Sequence, residues 1–181
     1  MEQTLTAPPK QAAAEADPVD AAFEALYRSS RDDVYAYVAG LLRDRAAAED
    51  VTALAFERAY TKRRRFDSRK GSRRAWLFGI ARNATLDELR RRKRSAELAT
   101  EPADGSATEP ADEADLTVRR QALRQGIAAL GARERELIGL KFFAGLSNAE
   151  IAEVTGVSPT NAGTRLHRAV EKLRRACNEG E

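Results

Sequence analysis

Cysteine and histidine are almost missing from this chain. Cys177 and His167 are the only ones among 181 residues. One thiol cannot close an intramolecular disulfide, and the two side chains together cannot build a Cys/His zinc cage. A single histidine leaves little room for a catalytic triad, and no phosphate-cradling glycine loop is present. No metal or cofactor is expected, and an enzymatic role has almost no support. His167 is read as a packing or phosphate-contacting residue. No apolar run approaches membrane-spanning length, so membrane insertion is not expected. The first residues lack a basic-then-apolar signal pattern, and the chain reads as cytoplasmic. Strand-like alternation is also missing. Helical spacing is left as the only periodicity, and it predicts an all-α fold.

Charge is abundant but segregated. The net charge of +3 hides fourteen Lys or Arg against three acids between Lys62 and Arg94, then seven acids and no base between Ser95 and Val118. A polyanion-binding face next to an acidic segment fits this asymmetry, although a basic run can also be a solvated helix face. The acidic stretch repeats TEPAD at Thr100 and Thr108 and has too little apolar surface to offset the entropy of ordering. It is read as a flexible linker over 95–117. It separates a helical block at 17–94 from a second one at 118–177. Residues 1–16, rich in Ala, Pro, Gln and Thr, are expected to be a disordered tail, and 178–181 a short one.

The second block ends in a helix-turn-helix pattern, Leu146–Arg175. Ser147 and Glu150 form an S-x-x-E capping box, Gly156 stands where the chain must turn, and Ser158-Pro159 starts the next helix. Val157, Ala162, Leu166, Val170 and Leu173 recur at helical spacing and would bury one side. Ser158, Thr160, Asn161, Thr164, Arg165, His167 and Arg168 remain for bases and phosphates. A plain helical hairpin with a solvated basic face is the competing interpretation. Upstream, Leu123, Ile127 and Leu130 form one stripe, and Leu137, Ile138, Lys141 and Phe142 begin the next helix.

In the first block, Asp17-Pro18 reads as a helix start followed by Val19, Phe23, Leu26 and Tyr27. Val34, Val38, Leu41 and Leu42 continue the pattern after a break near Ser29-Ser30. Asp44 can cap a further helix carrying Val51, Leu54, Ala55 and Ala59. After a loop at Phe66–Gly71, Ser72 can cap a helix reaching about Arg92, with Leu77, Ile80, Ala81 and Ala84 inward. On that last helix Trp76, Asn83 and Arg90 share one stripe at i, i+7 and i+14. A tryptophan among bases can stack on an unpaired base, worth roughly 1–3 kcal/mol. The preceding basic loop, Asp67 to Gly71, could enclose an extruded one. Burial of Trp76 in the core is the plainer alternative. Two DNA-contacting blocks on a tether of at most ~76 Å, at ~3.3 Å per residue, would permit two-point recognition.

Three segments carry a family resemblance: AEDVTALAFERAY at Ala48–Tyr60, RAWLFGIARNATLDELRRRKR at Arg74–Arg94, and GLSNAEIAEVTGVSPTNAGTRLHRAVEKLR at Gly145–Arg174. In this order they resemble the extracytoplasmic-function (ECF) sigma factors of bacterial RNA polymerase, within the sigma-70 family. The resemblance covers about Phe23 to Arg94 and Leu123 to Arg175, most of the chain expected to be ordered. It implies that Asp50, Val51, Leu54, Ala55, Phe56 and Arg58 dock on the clamp of core RNA polymerase, whose flap is a second contact. It implies that Arg69, Lys70, Arg73, Arg74, Trp76, Asn83, Arg90 and Arg91 meet promoter DNA at the −10 element, with a flipped base held near Asn83. The residues from Ser158 to Arg168 named above would read the −35 element, and an anti-sigma factor is an expected partner. The chain departs from the family at Ala53-Leu54, where Gln-Glu is usual, and at Gly163, where lysine is frequent. At Gly163 a phosphate contact would be lost and about 1 kcal/mol of helix propensity sacrificed.

The expected function is therefore promoter selection and DNA opening together with core polymerase, without enzymatic activity of its own. The alternative is a helix-turn-helix repressor or activator whose first block dimerises or senses. Trp76 discriminates between them: a dimerisation face should be apolar and lack the basic surroundings.

Overall fold

A computed structural model of the chain describes residues 17–98 and 116–178. All regular structure among them is helical: α1 Pro18–Leu42, α2 Arg45–Lys62, α3 Arg73–Leu98, α4 Leu116–Ala129, α5 Ala132–Phe142, α6 Asn148–Thr155 and α7 Pro159–Asn178. Two short 3-10 turns, Arg63–Arg65 and Ser68–Lys70, connect α2 to α3. The expected tail at 1–16, the linker residues 99–115 and all of the expected tail 178–181 except Asn178, which ends α7, lie outside the described residues. Of the linker positions that are described, Ser95 to Leu98 extend α3, and Leu116 and Thr117 open α4.

Local capping chemistry sets most helix starts. The Asp17 carboxylate accepts from the Val19 amide at 2.9 Å, with Pro18 in the first turn, and Asp44 accepts from Ala47 at 3.1 Å. The Ser72 hydroxyl accepts from the Ala75 amide at 3.1 Å. The Ser147–Glu150 capping box is reciprocal, and Gly156 ends α6 at φ +72. The Ser158 hydroxyl accepts from the Asn161 amide at 3.3 Å at the start of α7.

The break expected near Ser29-Ser30 does not occur, and α1 runs through it without interruption. The Ser29 hydroxyl donates back to the Leu26 carbonyl at 3.2 Å, and Ser30 is buried, its hydroxyl accepting from Arg74 at 3.1 Å. Tertiary contact satisfies a residue type that locally favours a cap. The expectation for α3 also fell short, because the helix continues past Arg92 to Leu98.

In the first block, Val34, Tyr37, Val38 and Leu41 of α1 face Ala48, Val51, Thr52, Ala55, Phe56 and Ala59 of α2. The four alanine and valine positions on α2 let the helices approach closely. Helix α3 closes the layer with Leu77 and Phe78, fully buried and each contributing roughly 1.5–3 kcal/mol. Phe78 meets Tyr37 edge to face, with ring centroids 5.6 Å apart. In the second block, α4 lies against α7 where Gly126 has no side chain; a Cβ there would come within 2.9 Å of Leu173 Cδ1. Leu140, Leu146, Ile151, Ala162, Leu166 and Ala169 fill the space among α5, α6 and α7. Leu123, on the expected stripe, is on the surface instead at 45% exposed, and Phe142 at the end of α5 is 63% exposed. Gly126 and Ala122, one position off the predicted stripe, face α7 in place of Leu123: Gly126 touches Leu173, and the Ala122 carbonyl lies 3.7 Å from Cys177 Sγ.

The two blocks also pack on each other. Helix α5 lies against α1 and α6 against α3, and the buried apolar residues of both blocks form one continuous cluster.

Candidate nucleic-acid interface

The start of α3 and the turns before it form a cleft of about 470 Å³. Trp76 and Ile80 line one side and Phe66 another, with Lys70 and Asn83 at the rim. Trp76 is half-buried, and neither expectation for it was complete. Its ring meets Phe66 at 5.6 Å between centroids, tilted by 60°, and the remainder faces the cleft. The Arg73 guanidinium sits 4.6 Å above the Phe66 ring, close enough for a cation–π contact. Asp67 accepts from the Arg69 amide at 3.1 Å and from its side chain at 3.0 Å. The Arg69 hydrogen bonds hold its carboxyl below the usual range. The loop that sequence reasoning left irregular is thus pinned into a single 3-10 turn. Gly79 lies in the cleft between Trp76 and Asn83, and a Cβ there would meet nothing within 4 Å.

The other −10 candidates divide. Arg69, Lys70, Asn83, Arg90 and Arg91 are exposed, and Arg73 is half-buried at the cleft. Arg90 and Arg91 stand farther along α3, paired with Asp87 at 3.2 Å and Glu88 at 2.7 Å. Arg74 is placed differently from the others. Its guanidinium is turned away from the cleft, into the seam between blocks. It donates to Asp33 at 2.6 Å, to the Phe143 carbonyl at 2.9 Å and to the Ala144 carbonyl. In this conformation it has no capacity left for a phosphate. The reason is tertiary: α5 ends with unpaired carbonyls directly beside it.

All seven candidates on the second reading surface, Ser158, Thr160, Asn161, Thr164, Arg165, His167 and Arg168, are exposed along one side of α7. The opposite side buries Ala162, Leu166 and Ala169. Gly163 is not on the outer face. A Cβ there would point at Asn148 Nδ2, 3.3 Å away, so its small size serves close packing of α6 on α7. The phosphate contact supposed lost at this position therefore has no counterpart in the geometry.

The docking candidates on α2 need a similar revision. Val51, Ala55 and Phe56 are 5%, 0% and 6% exposed, so their side chains hold α2 in the core and do not face outward. Asp50 is exposed; Leu54 and Arg58 are half-buried, with Arg58 3.7 Å from Asp87. A shallow groove beside them is lined by Tyr27, Tyr35, Thr52, Ala53 and the edge of Phe56. Tyr27, which helical spacing groups with Val19, Phe23 and Leu26, presents exposed aromatic surface there, and Tyr60 does so nearby. Two further cleft residues, Glu153 and Val154, come from α6 of the other block. No sequence signal linked them to Trp76.

Among the described residues no group of three or more His, Cys, Asp or Glu is placed to hold a metal ion, and no helix is long and apolar enough to cross a membrane.

Comparison with known proteins places both blocks in one family. The family described as Sigma-70 region 2 matches residues 26–95, and Sigma-70, region 4 matches residues 120–173. The ECF RNA polymerase sigma factor SigL of Mycobacterium tuberculosis is 32% identical over 169 residues, covering 93% of each chain. The RNA polymerase sigma factor CarQ of Myxococcus xanthus is 33% identical over 162 residues, covering 88% of this chain and 91% of its own. Among solved structures, the sigma factor RpoE in complex with the anti-sigma factor NepR from Bartonella quintana superimposes with a TM-score of 0.72 at 26% identity, over 87% of this chain and 97% of RpoE. Two separately matched regions, in the order of the cleft and the free basic helix, are the organisation of one protein class: the chain belongs to the ECF sigma factors of RNA polymerase.

Proposed function

We propose that the chain directs core RNA polymerase to its promoters by a two-point grip, with one grip point in each block. Residues 17–94 act as the region that docks on polymerase and captures the opened −10 strand. Residues 118–177 hold the −35 duplex. The observation that carries this reading is the pairing of two unlike basic surfaces in one chain. The first is concave and aromatic, suited to an unstacked base on the cleft-facing side of Trp76, which Phe66 braces from its edge. The second is a convex helix whose exposed side offers hydroxyls, an amide and guanidinium groups, suited to a major groove. A repressor of duplex operators has no use for the first surface, and the apolar dimer face that the alternative requires does not fit a cleft bordered by Lys70, Arg65 and Arg73.

Docking on polymerase is assigned to the α1–α2 groove together with Asp50, Leu54 and Arg58, while Val51, Ala55 and Phe56 support that surface from beneath. The protein works in the cytoplasm as a binding factor and catalyses nothing by itself. An anti-sigma factor is its expected regulator, as the RpoE–NepR complex shows for that relative.

Run-off transcription with purified core polymerase tests the reading. Specific transcripts from a subset of genomic fragments are expected. Absence of any transcript, combined with tight binding of the protein alone to a duplex operator, would establish the repressor instead.

A further inference from the structure

We propose that Gly79 gauges the base that the cleft admits: the missing side chain leaves room for a two-ring purine, and a larger residue there would favour pyrimidines. This rests on the strand-capture reading and deepens it, by naming the residue that sets the size of the captured base.

Gly79 stands in the interior of α3, where glycine is the least favourable residue after proline. Other helical glycines have a reason within the fold. A Cβ on Gly126 would come within 2.9 Å of Leu173, one on Gly139 within 2.7 Å of Tyr37, and one on Gly163 within 3.3 Å of Asn148. A Cβ on Gly79 would meet nothing within 4 Å, not even the Trp76 ring. Its φ is not positive either, so the backbone accepts any L residue there. Gly40 shares the open Cβ position, but it lies near the end of α1 and lines no part of the cleft. Neither packing nor backbone conformation requires glycine at 79. The folded chain gains nothing from the missing side chain, and the space serves a molecule that enters the cleft.

The position decides what that molecule meets. Gly79 follows Trp76 by one turn and precedes Asn83 by one turn, so the three share one face of α3. All three line the cleft. At a rise of 1.5 Å per residue, Trp76 and Asn83 lie about 10 Å apart along the helix, with Gly79 between them. A base stacked on the open face of Trp76 must cross Gly79 to reach the Asn83 amide. Bare backbone at 79 lets two fused rings lie close to the helix and meet both groups at once. A methyl group there would lift the second ring away, and an isobutyl group would fill its place. A single ring stacked on Trp76 needs less of that floor. Lys70 and Arg65 border the same cleft and suit the phosphates on either side.

Reconstituted holoenzyme on a promoter chosen by run-off transcription tests the gauge. Abasic nucleotides placed one at a time through the −10 element locate the captured base, as the position whose loss harms wild type but not Trp76→Ala. Opening is then compared with a purine and with a pyrimidine at that position. Wild type should open the purine template at least as readily as the pyrimidine one. Gly79→Leu should cut opening of the purine template about tenfold more than that of the pyrimidine template, the scale of losing one base stack. Gly79→Ala should shift the same way by less, while its thermal midpoint rises by about 2 °C because alanine suits a helix better. Rejection of purines by wild type, or equal effects of Gly79→Leu on the two templates, would overturn the gauge. If no position separates wild type from Trp76→Ala, the strand-capture reading itself is what fails.

Discussion

At the residue scale, Trp76 and Glu88 illustrate two different uses of α3. Trp76 combines a face against Phe66 with a face toward the cleft, so removing it deletes a stacking platform without emptying the core. Loss of one base stack is worth roughly 1–3 kcal/mol, and Trp76→Ala should weaken retention of the opened strand by that amount. Glu88, by contrast, is a fastening. Its carboxylate is nearly enclosed and accepts from Arg91 and Arg92, which hold its pKa down at about 2 against an ordinary 4.5, the Arg91 bond being the larger influence. Arg92 in turn reaches Asp44, the cap of α2, at 2.8 Å. A carboxyl held low contributes stability that is full above the unfolded value and is lost as pH falls from about 4.5 toward 2. Thermal midpoints measured across that window should fall more steeply for wild type than for Glu88→Gln. Parallel curves would remove Glu88 from this role.

At the element scale, the sequence was most legible where a signal and its consequence are a few residues apart. Asp17, Asp44, Ser72, Ser147 with Glu150, and Ser158 each start a helix through bonds to amides two or three positions on. Ser147→Ala should cost about 1 kcal/mol in urea unfolding, since the hydroxyl half of the α6 capping box goes while the backbone amide at 147 still donates to Glu150. An unchanged midpoint would mean that packing alone holds α6. Legibility failed where a distant group intervened. Ser30 looked like a break because the Arg74 guanidinium that satisfies it is 44 positions away. Leu123 was placed inward because spacing on α4 cannot reveal that Gly126 and Ala122 are the positions α7 approaches. Val51, Ala55 and Phe56 were assigned to a partner because a family pattern marks the helix, not which of its faces is already used.

At the scale of the whole molecule, the cleft was legible in part. Trp76 and Asn83 announced themselves by stripe and charge, yet the wall formed by Glu153 and Val154 belongs to a block whose sequence gives no sign of it. The same holds for Gly139, whose bare Cα is the contact that lets α5 lie on Tyr37. Burial pushes the Tyr37 hydroxyl far above its ordinary pKa, and the group has no protein partner there. Tyr37→Phe removes that buried polar atom and keeps the ring against Phe78 and Gly139. It should raise the thermal midpoint by about 1 kcal/mol of added stability. A lower midpoint would show that the hydroxyl supports the packing between α1 and α5 after all.

The division of labour between the two surfaces is the centre of this account, and potassium permanganate footprinting of a promoter bound by reconstituted holoenzyme tests it most directly. Trp76→Ala should retain upstream protection from nuclease while thymines around the −10 element lose permanganate reactivity. Arg165→Ala, on the exposed face of α7, should weaken the upstream footprint first. Equal loss of both signals in both variants would contradict a grip divided between a strand-capturing cleft and a duplex-reading helix.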